Sequence, residues 1–207
     1  MMKNSIKHYR IIGLAILCSN IQARNPHDLV DISTINKNIV LDMRYASENN
    51  FTKKKIYTSA RCFLRTSVAH KLDAVQKELE KKGLGLKIWD GYRPLSAQRI
   101  MWNLIHDSRY VENPAKGSRH NRGCAVDVTL VTKKGKELLM PTGFDDFSER
   151  AHTNYMKLPR QAIKNRQLLQ GIMIKHGFLS MRFEWWHFDE ANWQQCPILD
   201  IDIEKLT

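Results

Sequence analysis

The sequence predicts a single α+β domain in which a mainly antiparallel sheet packs against about three helices. Three segments repeat apolar residues at helical spacing, and short segments between them alternate as strands do. Helices and strands mixed in this way, with hairpin-like spacing near the end, are typical of α+β folds. The 207 residues are 43% hydrophobic and 26% charged. These values are ordinary for a globular protein with one hydrophobic core.

The helices are predicted at Ser67–Lys82, Ser96–Ile105 and Pro159–His176. In each of them apolar residues return every three or four positions, which gives one buried face. A glycine follows the first and the third helix, where a C-terminal cap belongs. Ser96 is a candidate N-cap for the second helix, after Pro94.

Two strands are predicted at Leu86–Trp89 and Cys124–Val131. The first ends at an Asp-Gly turn signal, and the second is rich in β-branched residues. Alternation along the second strand puts Asp127 on the face opposite Val126, Val128 and Leu130. The Asp127 carboxylate therefore points away from the apolar layer, beside small side chains that leave room for a ligand.

Residues 1–23 have the pattern of an export signal. A basic leader precedes the apolar stretch Ile11–Cys18, which is too short to span a bilayer, and Ala23 is a candidate last residue before cleavage. We expect an exported protein, periplasmic in location, with its domain at residues 24–207 and no stable membrane insertion after cleavage. Lipid attachment at Cys18, an uncleaved anchor and a cytoplasmic protein are the alternatives.

The chain is basic, with a net charge of +12. Removing the three positive charges of the leader leaves +9, which favours anionic surroundings such as an acidic cell-wall polymer. The lysines form scattered short runs without interleaved aromatic residues, so a nucleic-acid partner is not expected. The oligomeric state is not predicted.

Three cysteines follow the leader: Cys62, Cys124 and Cys196. An odd number in an exported chain leaves at least one thiol without a partner in the same chain. A bridge between Cys62 and Cys196 is one arrangement that the sequence allows. Cys124 is interpreted as a small packing residue, with an oxidation-sensitive neighbour of the functional site as the alternative.

The candidate metal ligands and the candidate base lie in two segments, Ser118–Asp127 and Glu184–His187. His120, Asp127 and His187 supply two imidazoles and one carboxylate, which can fill three corners of a tetrahedral zinc site and leave the fourth for water. Zinc lowers the pKa of such a water from 15.7 to about 7. Glu184, three residues before the last ligand, is placed to take its proton. This pattern predicts a zinc hydrolase.

The spacing of these residues also predicts irregular backbone. His120 and Asp127 are an odd number of residues apart, as are Glu184 and His187, so on regular strands the two members of each pair would face opposite sides. We therefore expect His120 in a loop before the strand, with Gly123 supplying a permissive turn. Glu184 should lie at a bend or bulge ahead of the strand that carries His187.

Arg93 is the best candidate for a cation beside the developing oxyanion of a hydrolysed carbonyl. It follows a predicted strand, and Pro94 stiffens the turn that would aim its side chain. A preorganised positive charge of this kind is commonly worth about 2.7–4 kcal/mol of the reaction barrier.

The chain resembles the D-alanyl-D-alanine dipeptidases, zinc enzymes of the vancomycin-resistance type. The resemblance extends over nearly all of the chain after the leader. The shared segments are Asp42–Ala46, Asn50–Phe51, Trp89–Pro94, Ser118–Leu130, Met140–Asp145 and Glu184–His187. The chain departs from the pattern of this family at Cys124, where we would expect a small residue such as serine. The export leader is a further departure, because resistance-type members act in the cytoplasm.

The resemblance implies one zinc ion per chain at His120, Asp127 and His187, with Glu184 as the catalytic base and Arg93 stabilising the transition state. It also implies three residues that bind the two ends of a dipeptide. Ser118 would hold the carboxylate, Asp145 would pair with the free amino group, and Tyr45 would line the pocket.

The expected activity is hydrolysis of D-alanyl-D-alanine to two D-alanines in cell-wall peptide turnover or modification. A zinc D,D-carboxypeptidase that trims peptidoglycan stem peptides is the nearest alternative, because it would use the same metal and base. The second alternative is a cell-wall binding module that keeps the zinc-binding fold but does not catalyse a reaction. Retention of both Glu184 and Arg93 argues against such a module.

Overall fold

A computed structural model describes residues 28–206 of the chain; the predicted leader lies outside them. The α-helices of this part are α1 (Ile32–Ile35), α2 (Thr66–Glu80), α3 (Leu95–Leu104) and α4 (Arg160–Lys175). The strands are β1 (Leu29–Asp31), β2 (Val40–Leu41), β3 (Phe63–Arg65), β4 (Leu84–Asp90), β5 (Ala125–Thr132), β6 (Phe178–Ser180) and β7 (His187–Glu190). Across residues 28–206, no helix is both long and apolar enough to cross a membrane.

The main sheet has five strands in the order β2-β4-β5-β7-β6. Its β4–β5, β5–β7 and β7–β6 pairs are antiparallel, and only the edge strand β2 runs parallel to its neighbour β4. Strands β1 and β3 form a separate antiparallel pair. The prediction of an α+β domain with a mainly antiparallel sheet is confirmed.

The three predicted helices are confirmed with ends that differ by one or two residues. The N-cap assigned to Ser96 is wrong, because α3 begins at Leu95 directly after Pro94. The Ser96 backbone N–H is bonded instead to the Asp200 carboxylate, at 2.8 Å. The extra helix, α1, is a single turn whose N-terminus is capped by the Asp31 side chain.

The core lies between the main sheet and helices α2 and α4. The predicted apolar face of α2 is fully buried; its residues are Val68, Leu72, Val75 and Leu79. On strand β5 both faces are covered, so Asp127 is buried although it points away from Val126, Val128 and Leu130. The carboxylate therefore lies in the protein interior, where an unpaired charge is costly.

A second part of the core is aromatic. Trp89, at the end of β4, has its ring centroid 5.1 Å from that of Phe144 and 5.8 Å from that of Trp185. The rings of Trp185 and Trp186 meet edge to face with centroids 5.5 Å apart. Both tryptophans are buried, and Trp186 also lines a cavity beside Glu184. Their packing fixes the turn that joins Glu184 to β7.

The three described cysteines are free thiols. Cys124 is fully buried, as predicted for a packing residue. The arrangement in which Cys62 pairs with Cys196 is not formed. The Cys62 sulfur packs against Gly91, where a Cβ would lie 2.7 Å from it, whereas the Cys196 thiol lies beside Cys124.

Candidate metal centre and active site

The pairing of β5 with β7 places two of the predicted ligands side by side. Asp127 and His187 are direct partners in the antiparallel register. The third, His120, lies in the 3₁₀ turn His120–Arg122, which ends at Gly123 with φ of +68° just before β5. A side chain at Gly123 would be strained and would place its Cβ 2.6 Å from Leu29. The loop position predicted from the odd spacing is confirmed.

Glu184 lies outside regular structure, immediately before a turn at Trp185 and Trp186 that leads into β7. The His187 backbone N–H donates to the Glu184 carbonyl at 3.3 Å, which closes this turn. One Glu184 carboxylate oxygen is 3.9 Å from His187 Nδ1. The bend predicted ahead of His187 is confirmed, and it brings a buried carboxylate to the side of the ligand group.

The three candidate ligand atoms form a small triangle. His187 Nδ1 is 3.0 Å from Asp127 Oδ1 and 3.2 Å from His120 Nε2, and His120 Nε2 is 3.5 Å from Asp127 Oδ1. Atoms bound at about 2.0–2.1 Å to one tetrahedral zinc ion would be about 3.3 Å apart. All three residues are buried. Distances and donor types therefore fit a zinc ion.

Hydrogen-bond acceptors outside the metal centre determine which ring nitrogen of each histidine ligand faces the centre. His120 Nδ1 is 2.8 Å from the Gly91 carbonyl, and His187 Nε2 is 2.9 Å from an Asp189 carboxylate oxygen. Each of these nitrogens carries the proton, so His120 Nε2 and His187 Nδ1 are left with lone pairs toward the metal. The sequence interpretation missed Asp189. Its position two residues after His187, on the same face of a strand, was the available signal.

Replacing Asp189 with alanine should weaken zinc binding by about 10–100-fold, because His187 loses the partner that fixes its tautomer and orientation. The zinc affinity of Asp189→Asn should lie between those of Asp189→Ala and the parent protein, since the amide oxygen of asparagine still accepts from His187 Nε2. Competition with a chromophoric chelator measures the dissociation constant. Asp146→Ala serves as the control, and an unchanged constant in Asp189→Ala would remove Asp189 from the metal centre.

Arg93 is held rigidly beside this centre. Its guanidinium donates twice to Asp90, from Nε at 3.0 Å and Nη2 at 2.6 Å, and once to Gln98 from Nη1 at 2.8 Å. Asp90 is fully buried and also accepts from the Tyr57 hydroxyl at 2.7 Å. Because a guanidinium has five N–H groups, two remain for a substrate. Asp90 and Gln98 were not identified as site residues from the sequence.

Two cavities meet at the metal centre. The first is a cleft of about 120 Å³, and its lining includes Arg93, Ser118, His120 and His187. The second is a smaller cavity of about 20 Å³, and its lining includes Tyr45, Arg93, Asp127, Asp145, Glu184 and Trp186. The structure thus brings all eight predicted site residues together, with Arg93 on the wall shared by both cavities.

Asp145 is one of the acids that line the smaller cavity. This carboxylate accepts from the Tyr45 hydroxyl at 2.9 Å and from the Phe51 backbone N–H at 3.1 Å. Burial raises the pKa of Asp145 to about 7, although both hydrogen bonds favour its charged form. The residue itself has a positive φ of 59°, so the chain turns here to aim the carboxylate inward.

Glu184, a buried residue, is the second acid near the centre that lines the smaller cavity. Burial raises the pKa of its carboxyl to about 8, and the nearby Asp127 and Asp145 carboxylates act in the same direction. A carboxyl group with a pKa near neutrality can both accept and return a proton at physiological pH. This environment suits acid–base chemistry.

Ser118 lies on the other side of the centre, in the wall of the larger cleft. Its hydroxyl accepts from the His120 backbone N–H at 3.2 Å, and its own backbone N–H donates to the Asn121 side chain at 2.7 Å. These bonds fix the turn before the first ligand and place a hydroxyl group beside it.

Comparison with known proteins gives a consistent assignment. Residues 25–200 match the D-Ala-D-Ala dipeptidase family of M15 peptidases. The chain is 38% identical to a D-alanyl-D-alanine dipeptidase of Escherichia coli over 172 residues, 83% of this chain and 89% of that protein. It is 36% identical to one of Enterococcus faecalis over 71% of this chain and 83% of that protein.

Among solved structures, the chain has a distant likeness to the LdcB LD-carboxypeptidase. The identity is 18% and the TM-score 0.47, over 80% of this chain and 69% of that one. The family match and the two relatives, together with the buried His-Asp-His centre, show that this chain belongs to the M15 D-alanyl-D-alanine dipeptidase family of metallopeptidases.

Proposed function

We propose that this protein hydrolyses D-alanyl-D-alanine to two D-alanines with one zinc ion per chain. The observation that carries the proposal is the small cavity next to the metal centre, which both Asp145 and Glu184 line. It provides a carboxylate for a free amino group and leaves space for only a small residue on that side of the scissile bond. The names of the relatives point to the same substrate.

His120, Asp127 and His187 would hold the zinc ion, which supplies a Lewis acid that polarises the substrate carbonyl and makes water more acidic. Glu184 would accept the proton of the attacking water. The same carboxyl would then return that proton to the departing amine, so that the peptide nitrogen leaves as a neutral amino group. Its raised pKa and its position beside His187 support both steps.

Arg93 would stabilise the negative charge that develops on the carbonyl oxygen. Three of its five N–H groups are bonded to Asp90 and Gln98, which hold the guanidinium plane in one orientation. The two remaining N–H groups belong to a side chain that lines both cavities. A donor that needs no rearrangement during the reaction is the most effective kind.

The two ends of the dipeptide would lie in the two cavities. The ammonium group would pair with Asp145, beside the Tyr45 hydroxyl, in the smaller cavity. The carboxylate would lie in the larger cleft and accept from the Ser118 hydroxyl. Because both ends are charged, a site that recognises both selects short substrates over long chains.

Binding of the dipeptide should weaken as the pH falls through about 7. Below this value Asp145 takes up a proton and loses the charge that pairs with the substrate ammonium. We expect KM to rise toward low pH, and Asp145→Asn to raise KM by about 10–100-fold at pH 8, the equivalent of one charged hydrogen bond.

Steady-state kinetics across pH check this prediction. The Asp145→Asn variant should also lose the dependence of KM on pH. Asp146→Asn is the matched control, because the Asp146 carboxylate accepts from the Ser148 backbone N–H within its own turn. A KM that Asp145→Asn leaves unchanged would show that Asp145 does not bind the amino end.

A zinc D,D-carboxypeptidase acting on peptidoglycan stem peptides is the second candidate, since it needs the same centre. Release of D-alanine from D-Ala-D-Ala and from a longer peptide ending in D-Ala-D-Ala separates the two. The small volume of the cavity that Asp145 lines leads us to expect rapid cleavage of the dipeptide and little cleavage of the longer peptide. Equal or faster cleavage of the longer peptide would establish the carboxypeptidase, and cleavage of neither would leave a binding module.

We further propose that the protein is exported to the periplasm and acts there on dipeptides released from peptidoglycan. The support is the pattern of residues 1–23, with a basic leader and a short apolar stretch. Fractionation of cells that express the full chain, with N-terminal sequencing, tests this location. A protein that starts at Met1 and stays in the cytoplasmic fraction would contradict it.

A further inference from the structure

Cys124 and Cys196 lie beside each other although 72 positions separate them in the sequence. Their side chains interact, Cys124 being fully buried and Cys196 half-buried. Arg122 contacts both residues: its carbonyl is 3.6 Å from the Cys124 sulfur, and its guanidinium donates to the Cys196 carbonyl. The pair therefore joins the turn that carries His120 to the segment near the C-terminus.

The backbone around the pair is held in place on both sides. The Leu199 N–H donates to the Asn121 carbonyl at 2.8 Å, which ties the C-terminal segment to the metal-binding turn. The Arg65 guanidinium donates to the Pro197 carbonyl at 3.2 Å. The main chains that carry the two cysteines are thus docked against each other, and a bond between the sulfur atoms would join segments that are already in contact.

We propose that Cys124 and Cys196 form an intramolecular disulfide when the protein meets a disulfide oxidant. The thiolate of one cysteine attacks the oxidant RSSR, and a mixed disulfide forms as RS⁻ leaves. The second cysteine then attacks the protein sulfur of the mixed disulfide and expels the other RS⁻. Two protein thiols lose two protons and two electrons in all, and RSSR is reduced to two RSH.

The environments of the two thiols set the order of these steps. Cys196 is half-buried and accessible to a small oxidant, so it attacks first. Burial raises the pKa of Cys124 well above its usual value, so this thiol reacts more slowly with an oxidant from solution. Cys124 therefore resolves the mixed disulfide from within the protein.

Cys62 provides a matched control within the same chain. It is also fully buried, but its sulfur packs against Gly91, on the strand β4 side of the site. Its pKa is likewise raised by burial. The proposal therefore predicts that oxidation consumes Cys124 and Cys196 and leaves Cys62 as a thiol.

Incubation of the full chain with oxidised glutathione, followed by alkylation in denaturant and non-reducing peptide mapping, tests the pair. We expect a linked peptide that contains Cys124 and Cys196 and an alkylated Cys62. Cys196→Ser should abolish the linked peptide, whereas Cys62→Ser should leave it unchanged. A Cys62–Cys196 peptide, a glutathione adduct that stays on Cys196, or full alkylation of all three cysteines would overturn the proposal.

The melting temperature gives a second readout. A disulfide that closes a long loop stabilises the folded state, so the oxidised protein should melt several degrees above the reduced protein. Cys196→Ser should melt at the same temperature under both conditions. A linked protein that melts no higher than the reduced one would show that the bond strains the fold. These outcomes are independent of which peptide the protein hydrolyses.

Discussion

Replacing Glu184 with glutamine should lower the turnover number by about 10²–10⁴-fold while zinc remains bound. Glutamine keeps the shape of the side chain, but its amide cannot accept a proton from water. Zinc is retained because the three ligand atoms belong to His120, Asp127 and His187, and none of them to Glu184. D-alanine release and metal content, measured on the same preparation, check both halves of this expectation.

Glu149→Gln is a suitable control, because Glu149 is an exposed residue in a 3₁₀ turn away from the cavities. It should hydrolyse the dipeptide at the parent rate. Loss of zinc in Glu184→Gln would mean that the carboxylate supports the ligand group as well as the reaction. A fully active, zinc-loaded Glu184→Gln variant would remove Glu184 from the mechanism.

Removal of zinc by a chelator should reduce hydrolysis to the background rate, and addition of zinc should restore it. Neither Glu184 nor Arg93 can make water sufficiently acidic without a metal ion, because bulk water has a pKa of 15.7. The metal-free protein should also melt at a lower temperature, since a ligand that binds only the folded state stabilises it. Calorimetry measures the change in melting temperature, and D-alanine release measures the change in the rate of hydrolysis.

Pre-saturation of the same chelator with zinc controls for effects other than metal removal. The Asp127→Asn variant should behave like the metal-free protein, because the amide lacks the charge that the carboxylate brings to the ion. Full activity in the presence of excess chelator would contradict the assignment of the centre as catalytic.

The main features of the site could be predicted because each depends on local sequence. His120, Asp127 and His187 lie in two short motifs, and their odd spacing alone required a turn before β5 and a bend before β7. Both were found, at Gly123 and at Glu184. A pattern that conflicts with regular secondary structure is thus informative about where the backbone departs from it.

Supporting residues were missed because no motif in the sequence shows which side chains they meet. Gln98 is one polar residue on a helix face, and only the folded chain shows that it bonds Arg93. The Cys124–Cys196 contact likewise depends on how the C-terminal segment docks. Helix α1 and strand β2, of four and two residues, are too short for any periodicity to reveal.

Because β5 pairs with β7, the protein can become active only after β7 has been synthesised. The ribosome makes His120 and Asp127 long before His187, and Glu184 is made only three residues ahead of the last ligand. A chain interrupted before β7 therefore contains two ligands and Arg93 but has neither the third ligand nor the base. Partly synthesised chains cannot hydrolyse the dipeptide, and activity begins only when the central sheet acquires its late strand.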